Sequence, residues 1–420
     1  MAELSVVHLC TADRLGGAAR SAYKVHSGLR ARGVRSRMLV GTRVTNDPDV
    51  APVAGGPRRW LDRMAVAATD RLSWQYLYVP SSNRLPRHPW VSQADVIQLY
   101  NTHGGYFSHR VLPRLARDRP IVWRLSDMWA ATGHCAYSGA CEKWRSGCRG
   151  CPDLATYPAI RRDTAAALFR KKDRIYREAR PHVVAPSTWI AQIARESPLL
   201  GRFELSVIPN GVDAGVFRPV PRAVARDLLG LPGDRPVVLF GAHILDDNPR
   251  KGVEHVPEIV RRLSEQHGLE FTLALLGEGR AAWADALPVP VVRLGFLADD
   301  LSLAVAYAAA DLYIHPATHE NLPNTILEAA SCGVPIVAFD CGGVSDAVVD
   351  GAVGFLADAA DVEGFAEAAA RLLRDRELRE RFGRAAREAV LERFTLDRQT
   401  GDFLDLYRRL LAEAPGRDRS

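Results

Sequence analysis

Two acidic residues, Glu320 and Glu328, lie on either side of a predicted helix start. A short apolar strand ends near His315, and Pro323 suits the first position of a helix, where its missing N–H is not needed. The sequence thus predicts Glu320 in the loop before the helix and Glu328 on its second turn. Because the first backbone N–H groups of a helix attract phosphate, the two carboxylates would flank an anion site. Such a site could hold the hydroxyls and the diphosphate of a sugar nucleotide, although a capped surface helix with two ordinary acids has the same spacing.

Two adjacent cations, Arg250 and Lys251, follow an apolar strand that runs from Val237 to Gly241. Ligands of open α/β sheets gather outside the carboxyl ends of the strands, so this position favours an anion site over solvated loop charges. An Arg can bind phosphate oxygens through two N–H groups, and a Lys supplies a point charge. Together they would stabilise a departing diphosphate, and losing either should raise the barrier by a few kcal/mol.

Glycines occupy two further strand-to-helix junctions. Gly16 and Gly17 open a predicted helix after the first strand, where they allow close approach of a ligand to backbone N–H groups. They lack the G-x-G-x-x-G spacing of a dinucleotide site, which counts against a nicotinamide enzyme. Gly277 and Glu278 end a strand of the second half, where a nucleotide contact and a simple turn are both consistent with the sequence.

Four of the seven cysteines are Cys135, Cys141, Cys148 and Cys151, which lie within seventeen residues. In a chain without a secretory signal, such crowding favours metal over disulfides, and four thiolates suit a structural Zn²⁺. An iron–sulfur cluster and reduced or redox-paired thiols remain alternatives. The other three cysteines have the sequence surroundings of small buried hydrophobic residues.

The order of these segments resembles that of the retaining glycosyltransferases of family 4, which have the GT-B fold of two Rossmann-like domains. The likeness extends over most of the chain. It is carried by Glu320-x7-Glu328, by Ala330-Ser331-Cys332-Gly333-Val334-Pro335, by Cys341-Gly342-Gly343, by Arg250-Lys251-Gly252 and by Pro209-Asn210-Gly211-Val212-Asp213.

The resemblance implies roles for these side chains. Glu320 would hold the donor sugar and Glu328 the nucleotide ribose, while Arg250 and Lys251 neutralise the diphosphate of a UDP- or GDP-sugar. No catalytic metal is expected, because the basic pair and the helix start can replace it. Further contacts with the donor are expected at Gly16, Gly17, Gly241, Gly277, Glu278, Asn321 and Leu322.

The acceptor is expected on the first domain. His103 lies in a segment similar to the Asn-x-His loop that lines the acceptor side in this family, although a lone His is more often structural. Asp127 follows the next strand, where relatives commonly have His-Asp but this chain has Ser126, so Asp127 is the polar candidate. The resemblance implies front-side attack by an acceptor hydroxyl of a glycan, a lipid-linked sugar or a small molecule.

Strands and helices alternate through both halves of the chain, which predicts α/β domains with parallel sheets. At 420 residues, two domains are the default. We expect an acceptor domain over 1–212, a cysteine-rich insertion over 132–155, a donor domain over 213–395, and a crossover helix with a tail over 396–420. The final helix is expected to return to the first domain.

The charge and hydropathy of the sequence limit the kinds of partner that the protein could bind. Segment 161–180 carries eight Lys or Arg against three acids, which indicates a solvated helix face or weak contact with anionic lipid. No aromatic platform accompanies the charge, so nucleic acid is not expected. No apolar run reaches the ~20 residues that span a bilayer, and no signal-peptide pattern opens the chain, so we expect a cytoplasmic protein, with any membrane contact peripheral.

The sequence leaves three alternative functions open. A GT-B phosphorylase or a sugar-nucleotide epimerase would share the scaffold. A non-catalytic binding module could be built on the cysteine cluster. A Rossmann oxidoreductase is the weakest of the three, since the dinucleotide spacing is missing.

Overall fold

The computed structural model describes residues 4–246 and 248–413, which form two compact units. The first unit consists of the described residues up to Pro209 together with those from Gln399 onward, and the second is Asn210–Arg398. Each unit is built on one parallel sheet, which confirms the predicted α/β class.

The first unit contains seven parallel strands in the order β3-β2-β1-β4-β5-β6-β7. Their apolar residues are buried on both faces, as expected for a parallel sheet covered by helices. Strand order reverses at β1 and β4, whose carboxyl ends therefore border a crevice. The strands are β1 (Ser5–Ala12), β2 (Arg35–Thr42), β3 (Val50–Pro52), β4 (Val96–Leu99), β5 (Ile121–Arg124), β6 (His182–Ala185) and β7 (Leu205–Val207).

Six helices of this unit precede the second unit along the chain. They are α1 (Gly17–Ala31), α2 (Pro57–Arg71), α3 (Pro89–Ser92), α4 (Leu112–Leu115), α5 (Ala165–Ala179) and α6 (Thr188–Glu196). Strand β3 and helix α2 were not predicted from the sequence. Between β4 and β5 the chain forms a 3₁₀ turn, His109–Val111, followed by the single turn of α4. Ser187 caps α6 by accepting a hydrogen bond from the Ile190 N–H at 3.3 Å.

The second unit contains six parallel strands in the order β10-β9-β8-β11-β12-β13. Strand order reverses at β8 and β11, so the loops that follow these two strands meet at the crevice of this unit. The strands are β8 (Val237–Ile244), β9 (Thr272–Glu278), β10 (Val291–Gly295), β11 (Leu312–His315), β12 (Ile336–Phe339) and β13 (Gly354–Ala357).

Helices cover both faces of the second sheet. They are α7 (Arg222–Leu229), α8 (Val256–Arg261), α9 (Asp300–Ala309), α10 (Asn324–Ser331), α11 (Val362–Arg374) and α12 (Arg376–Arg393), and α13 (Leu396–Glu413) follows them along the chain. Within the described ranges, no helix is long and apolar enough to cross a membrane.

Helix α13 returns to the first unit, as predicted. Phe403 and Tyr407 are fully buried in a cluster with Val6 of β1 and Val25 of α1. The Tyr407 hydroxyl also donates a hydrogen bond to the side-chain oxygen of Gln98 on β4. The last helix therefore completes the core of the first unit.

Candidate active site

The loops that follow the two strands at the crevice of the second unit bring the predicted cations and the predicted carboxylate together. The loop after β8 carries Arg250 and Lys251, and the loop after β11 carries Glu320. The loops touch at Gly252, where an added Cβ would lie 1.7 Å from the carbonyl oxygen of Pro316, and its φ of +67° suits glycine. The Thr318 N–H also donates to the Arg250 carbonyl at 3.1 Å. Glycine at this position thus lets the basic pair lie directly on the end of β11.

Glu320 is the centre of this arrangement. Its side chain is 7% exposed and forms an ion pair with Lys251, while Arg250 Nη1 lies 3.9 Å from Glu320 Oε2. Burial alone would raise the pKa of this carboxyl, but Lys251, His315 and Arg250 together lower it well below its ordinary value. Glu320 is therefore a buried carboxylate that stays ionised at neutral pH.

His315 is a member of the site that was not singled out from the sequence. It ends β11, it is buried, and its Nε2 lies 3.5 Å from Glu320 Oε1. That nitrogen faces the carboxylate, while Nδ1 lies 3.4 Å from the Tyr313 hydroxyl. Burial lowers the pKa of His315, so a neutral ring faces the carboxylate. Its position as the last residue of a strand at the switch point was the available signal.

Glu328 lies on the second turn of α10, as predicted, and is buried. Its Oε2 accepts a hydrogen bond from the Tyr307 hydroxyl at 3.4 Å. Burial raises the pKa of the Tyr313 phenol, and the charges of Glu320 and Glu328 add to that rise. Both acids of the predicted pair are therefore buried side chains of the second unit.

The start of α10 differs by one residue from the prediction. Pro323 is the N-cap residue, with ψ of 121°, and the helix begins at Asn324. A proline side chain has no acceptor, so it cannot cap the N–H groups of the first turn. The preceding loop is fixed by the Asn210 side-chain amide, which donates to the Leu322 carbonyl at 2.8 Å. Asn321 and Leu322 are both buried in this loop.

The remaining donor-side candidates lie at the ends of β8 and β9. Gly241 is within β8, in ordinary contact with Leu276. Gly277 has φ of +150°, and an added Cβ there would lie 1.8 Å from the Ala242 carbonyl oxygen. Glu278 is exposed, and its carbonyl accepts a hydrogen bond from the Leu245 N–H at 2.8 Å. The close contact at Gly277 thus leaves no space for a Cβ, whereas a Cβ at Gly241 would make only ordinary van der Waals contacts.

His103 and Asp127 are brought together at the crevice of the first unit. His103 Nε2 lies 2.8 Å from Asp127 Oδ2, and Asp127 Oδ1 accepts a hydrogen bond from the Trp129 N–H at 2.9 Å. The imidazole is buried between the rings of Trp129 and Tyr157, whose centroids lie 5.6 and 5.7 Å from that of His103. The histidine and the carboxylate form an oriented pair that could hold or move a proton.

The glycine pair also lies at the first unit's crevice. Gly16 has φ of +80° and immediately precedes α1, whose first residue is Gly17. No heavy atom outside the immediate backbone would lie within 4 Å of a Cβ on Gly16 among the described residues. The positive φ, rather than close packing, is the reason for glycine here.

The predicted zinc site is not supported. Within residues 4–246 and 248–413, no group of three or more His, Cys, Asp or Glu side chains could hold a metal ion. Cys148 Sγ accepts from the Gly133 N–H, and Cys151 Sγ lies near His134 Nε2, each at 3.2 Å. Two of the thiols thus have hydrogen-bond partners other than a metal, and Cys135, Cys141, Cys148 and Cys151 form no disulfide with one another.

The basic segment 161–180 forms helix α5, whose apolar side chains are buried. Lys172 is buried with them: its Nζ donates to the carbonyls of Trp129 and Thr132 at 2.6 and 3.0 Å. It also lies 3.4 Å from the centroid of the Trp129 ring, and burial lowers its pKa to about 7. One of the eight cations thus stabilises the loop after Asp127 instead of facing solvent.

Comparison with known proteins identifies both units. The family model of Glycosyltransferase Family 4 matches residues 15–216, and that of Glycosyl transferases group 1 matches residues 235–375. A putative colanic acid biosynthesis glycosyl transferase of Escherichia coli, WcaC, is 29% identical over 53% of this chain and 52% of its own length. A D-inositol 3-phosphate glycosyltransferase of Saccharomonospora viridis is 34% identical over 50% of this chain and 51% of its own length. The chain thus spans about half the length of these two relatives.

Longer matches have lower identity. A D-inositol 3-phosphate glycosyltransferase of Mycolicibacterium smegmatis is 28% identical over 83% of this chain and 76% of its own length. Sucrose-phosphate synthase from Thermosynechococcus elongatus has a similar structure, with a TM-score of 0.71, 20% identity and coverage of 98% of this chain and 100% of that one. Anabaena HepE in complex with UDP and glucose has a TM-score of 0.67, 18% identity and coverage of 97% and 100%. The chain thus carries a family 4 glycosyltransferase domain followed by a group 1 glycosyltransferase domain, and it has the GT-B fold.

Proposed function

We propose that the protein transfers a sugar, with retention of configuration, from a nucleoside diphosphate donor to an acceptor hydroxyl. The observation that carries this proposal is the buried Glu320 carboxylate, which pairs with Lys251 and Arg250 in the loop leading into α10. A carboxylate for hydroxyls, two cations for phosphates and the start of helix α10 come together where the loops after β8 and β11 meet. A sugar nucleotide has the same three kinds of group.

The diphosphate would bind where the positive potential is highest. Arg250 and Lys251 supply two cations, and the first N–H groups of α10 supply the positive end of a helix dipole. As the bond between sugar and phosphate breaks, negative charge grows on the departing diphosphate. Groups already oriented towards that charge stabilise it without rearranging, which is the largest common source of catalysis.

The two buried carboxylates would hold the two ends of the donor. Glu328 on α10 would accept hydrogen bonds from the ribose hydroxyls, and Glu320 from hydroxyls of the transferred sugar. The two acids are fixed in different ways, since Glu328 is on helix α10 and Glu320 is held in the loop after β11 by its pairing with Lys251. The relative in complex with UDP and glucose supports a uridine donor, and GDP is the alternative base.

The acceptor would bind to the first unit, near the His103–Asp127 pair. In the proposed mechanism the acceptor hydroxyl attacks from the face that the diphosphate leaves, and the departing phosphate takes up the proton. His103 would line the acceptor side in an orientation fixed by Asp127, which holds its Nε2, while the Tyr157 hydroxyl lies 3.4 Å from its Nδ1. A glycan, a lipid-linked sugar or a small molecule could supply the hydroxyl, and relatives named for D-inositol 3-phosphate support a small polyol as one such acceptor.

Nucleotide binding to three variants tests the assignment. Thermal shifts are measured with uridine, UDP and GDP for the wild type, Arg250→Ala and Glu328→Ala. Arg250→Ala should weaken UDP by about tenfold or more, since a charge-assisted hydrogen bond contributes ~1.5–3 kcal/mol, but should leave uridine unchanged. Glu328→Ala should weaken both uridine and UDP, because the ribose is common to both.

The matched control is Arg376→Ala, which removes an exposed cation on α12 of the same unit. It should leave all shifts unchanged. Equal shifts for the wild type and both site variants would overturn the residue assignments. Transfer from the preferred donor should then yield a product whose anomeric configuration, measured by NMR, equals that of the donor; an inverted product would overturn the retaining mechanism.

A further inference from the structure

Helix α2 presents its apolar side chains to solvent. Of its fifteen residues only Asp62 is buried, whereas Trp60, Leu61 and Met64 are 61%, 51% and 54% exposed. At 100° per residue, these three side chains fall on one face of the helix. A surface helix normally directs this face towards the core. The apolar face of α2 therefore requires an explanation other than packing within the unit.

The opposite face of α2 contacts the rest of the unit. Asp62 Oδ1 accepts a hydrogen bond from the Ser81 N–H at 2.9 Å, and Ala65 and Val66 on the same side are half-buried. The exposed apolar surface continues past the helix at Leu72, which is 55% exposed. The three largest apolar side chains of the helix thus face away from the unit, whereas such side chains normally face the core.

Arginines border the apolar face. Arg58, Arg59, Arg63 and Arg71 are all exposed, while the acids of the helix are the buried Asp62 and a single exposed aspartate. Trp60 adds an aromatic ring of the kind that is enriched at the boundary between lipid headgroups and acyl chains. Exposed apolar residues flanked by Arg are the features of a helix that lies in a lipid interface.

The other basic helix of this unit lacks these features. On α5 the apolar residues Leu168, Phe169 and Tyr176 are buried in the core, which leaves charged side chains outward. Such a helix can be attracted to an anionic surface but has nothing to insert into it. The combination of charge and exposed apolar surface belongs to α2.

We infer that α2 lies on the surface of an anionic lipid bilayer, with Trp60, Leu61 and Met64 among the lipid chains and the flanking arginines at the phosphates. Contact between two copies of this chain through α2 would bring the arginines of both helices together, which is unfavourable. An anionic bilayer offers the opposite charge. The inference is independent of the donor chemistry of the second unit.

A cavity of about 240 Å³ lies beside this helix. Arg59, Asp62 and Arg63 contribute to its wall, with Thr11 from β1 and Gly104 from the loop after β4. The helix that would contact lipid therefore also borders a cavity near the carboxyl ends of the strands at the first unit's crevice.

Vesicle binding tests the inference. The full chain is co-sedimented with vesicles of phosphatidylcholine alone and of phosphatidylcholine with phosphatidylglycerol. The wild type should bind the anionic vesicles, and high salt should weaken that binding. The triple variant Trp60→Ser/Leu61→Ser/Met64→Ser should bind at least about tenfold more weakly, since burial of apolar side chains drives insertion.

The matched control is Val224→Ser/Leu228→Ser on α7, whose side chains are exposed to a similar extent. It should bind vesicles as the wild type does. All three proteins should keep the same thermal unfolding and the same nucleotide shift, which separates this test from that of the donor site. No binding of the wild type to anionic vesicles, or equal binding by the triple variant, would overturn the inference. Concentration-dependent dimerisation without lipid that the triple variant abolishes would assign the face to a second copy and would also overturn it.

Discussion

Lys251 and Glu320 form a nearly buried ion pair between residues 69 positions apart, with side chains 18% and 7% exposed. Two charges removed from water are tolerated because each neutralises the other and Arg250 adds a second cation at 3.9 Å. The cation proposed for the diphosphate and the carboxylate proposed for the sugar therefore position each other before any donor binds. The pair should thus be important both for folding and for the donor site.

Removing one partner of this pair should destabilise the protein strongly. Lys251→Met should lower the free energy of unfolding by about 3–5 kcal/mol, because Glu320 would remain buried without its main partner. The double variant Lys251→Met/Glu320→Gln should lose less than the sum of the two single losses. Urea unfolding followed by circular dichroism measures each value. The exposed pair Arg376–Glu380 is the control, and its double alanine variant should leave the free energy of unfolding nearly unchanged. Additive losses at Lys251 and Glu320 would show that the pair is not coupled.

The backbone of Glu320 depends on Gly342. An added Cβ at Gly342 would lie 1.8 Å from the Glu320 carbonyl oxygen, and its φ is +57°. Gly342→Ala should therefore cost at least about 2 kcal/mol of stability, from strain and overlap together, and should abolish the UDP-induced thermal shift. Gly351→Ala is the control, because φ there is +72° but a Cβ would meet no atom within 4 Å among the described residues. That variant should cost about 1–2 kcal/mol and keep the shift. A Gly342→Ala protein with a normal shift would contradict this role.

Much of the proposed donor site could be predicted because its residues follow buried strands at motif spacings. Glu320, Glu328 and the basic pair were singled out in this way. The bond between Lys251 and Glu320 could not be predicted, since it joins two loops that meet only when β8 and β11 lie side by side. His315 was missed for the same reason: its role comes from its position at the switch point and not from its neighbours in the chain.

Secondary-structure elements that are very short, or whose apolar face is exposed, could not be predicted from the sequence. Strand β3 has three residues, which is too few for a periodic signal. Helix α2 directs its large apolar residues outward, so the sequence does not show which of its faces packs against the core. The burial of Lys172 could not be predicted either, because the sequence does not indicate that this cation lies over the Trp129 ring. The spacing of the cysteines likewise gives no information on whether their thiols converge.

The return of α13 to the first unit should be essential for that unit's stability. Phe403 is fully buried in the cluster with Val6 and Tyr407. Phe403→Ala should lower the stability of the first unit by about 3–5 kcal/mol. Tryptophan fluorescence during chemical unfolding measures this, because seven of the eight tryptophans precede Pro209. The exposed Arg408→Ala should change stability by less than about 0.5 kcal/mol. Equal effects of the two variants would show that α13 contributes little to this core.

The first unit should lose stability in mild acid through a buried histidine. Burial lowers the pKa of His26 to about 4, with Asp47 opposing part of that shift, and His26 Nδ1 lies 2.8 Å from Ser36 Oγ. In the unfolded chain the pKa is about 6.5, so the unfolded state binds more protons between these values and stability falls as the pH falls from 6.5 to 4. The loss from this residue should reach about 3 kcal/mol. His26→Gln should reduce the loss in unfolding experiments followed by tryptophan fluorescence, whereas the exposed His243→Gln should not. If His26→Gln and the wild type lose stability in parallel over this range, the acid sensitivity comes from other groups. Burial would then lower the pKa of His26 by less than expected.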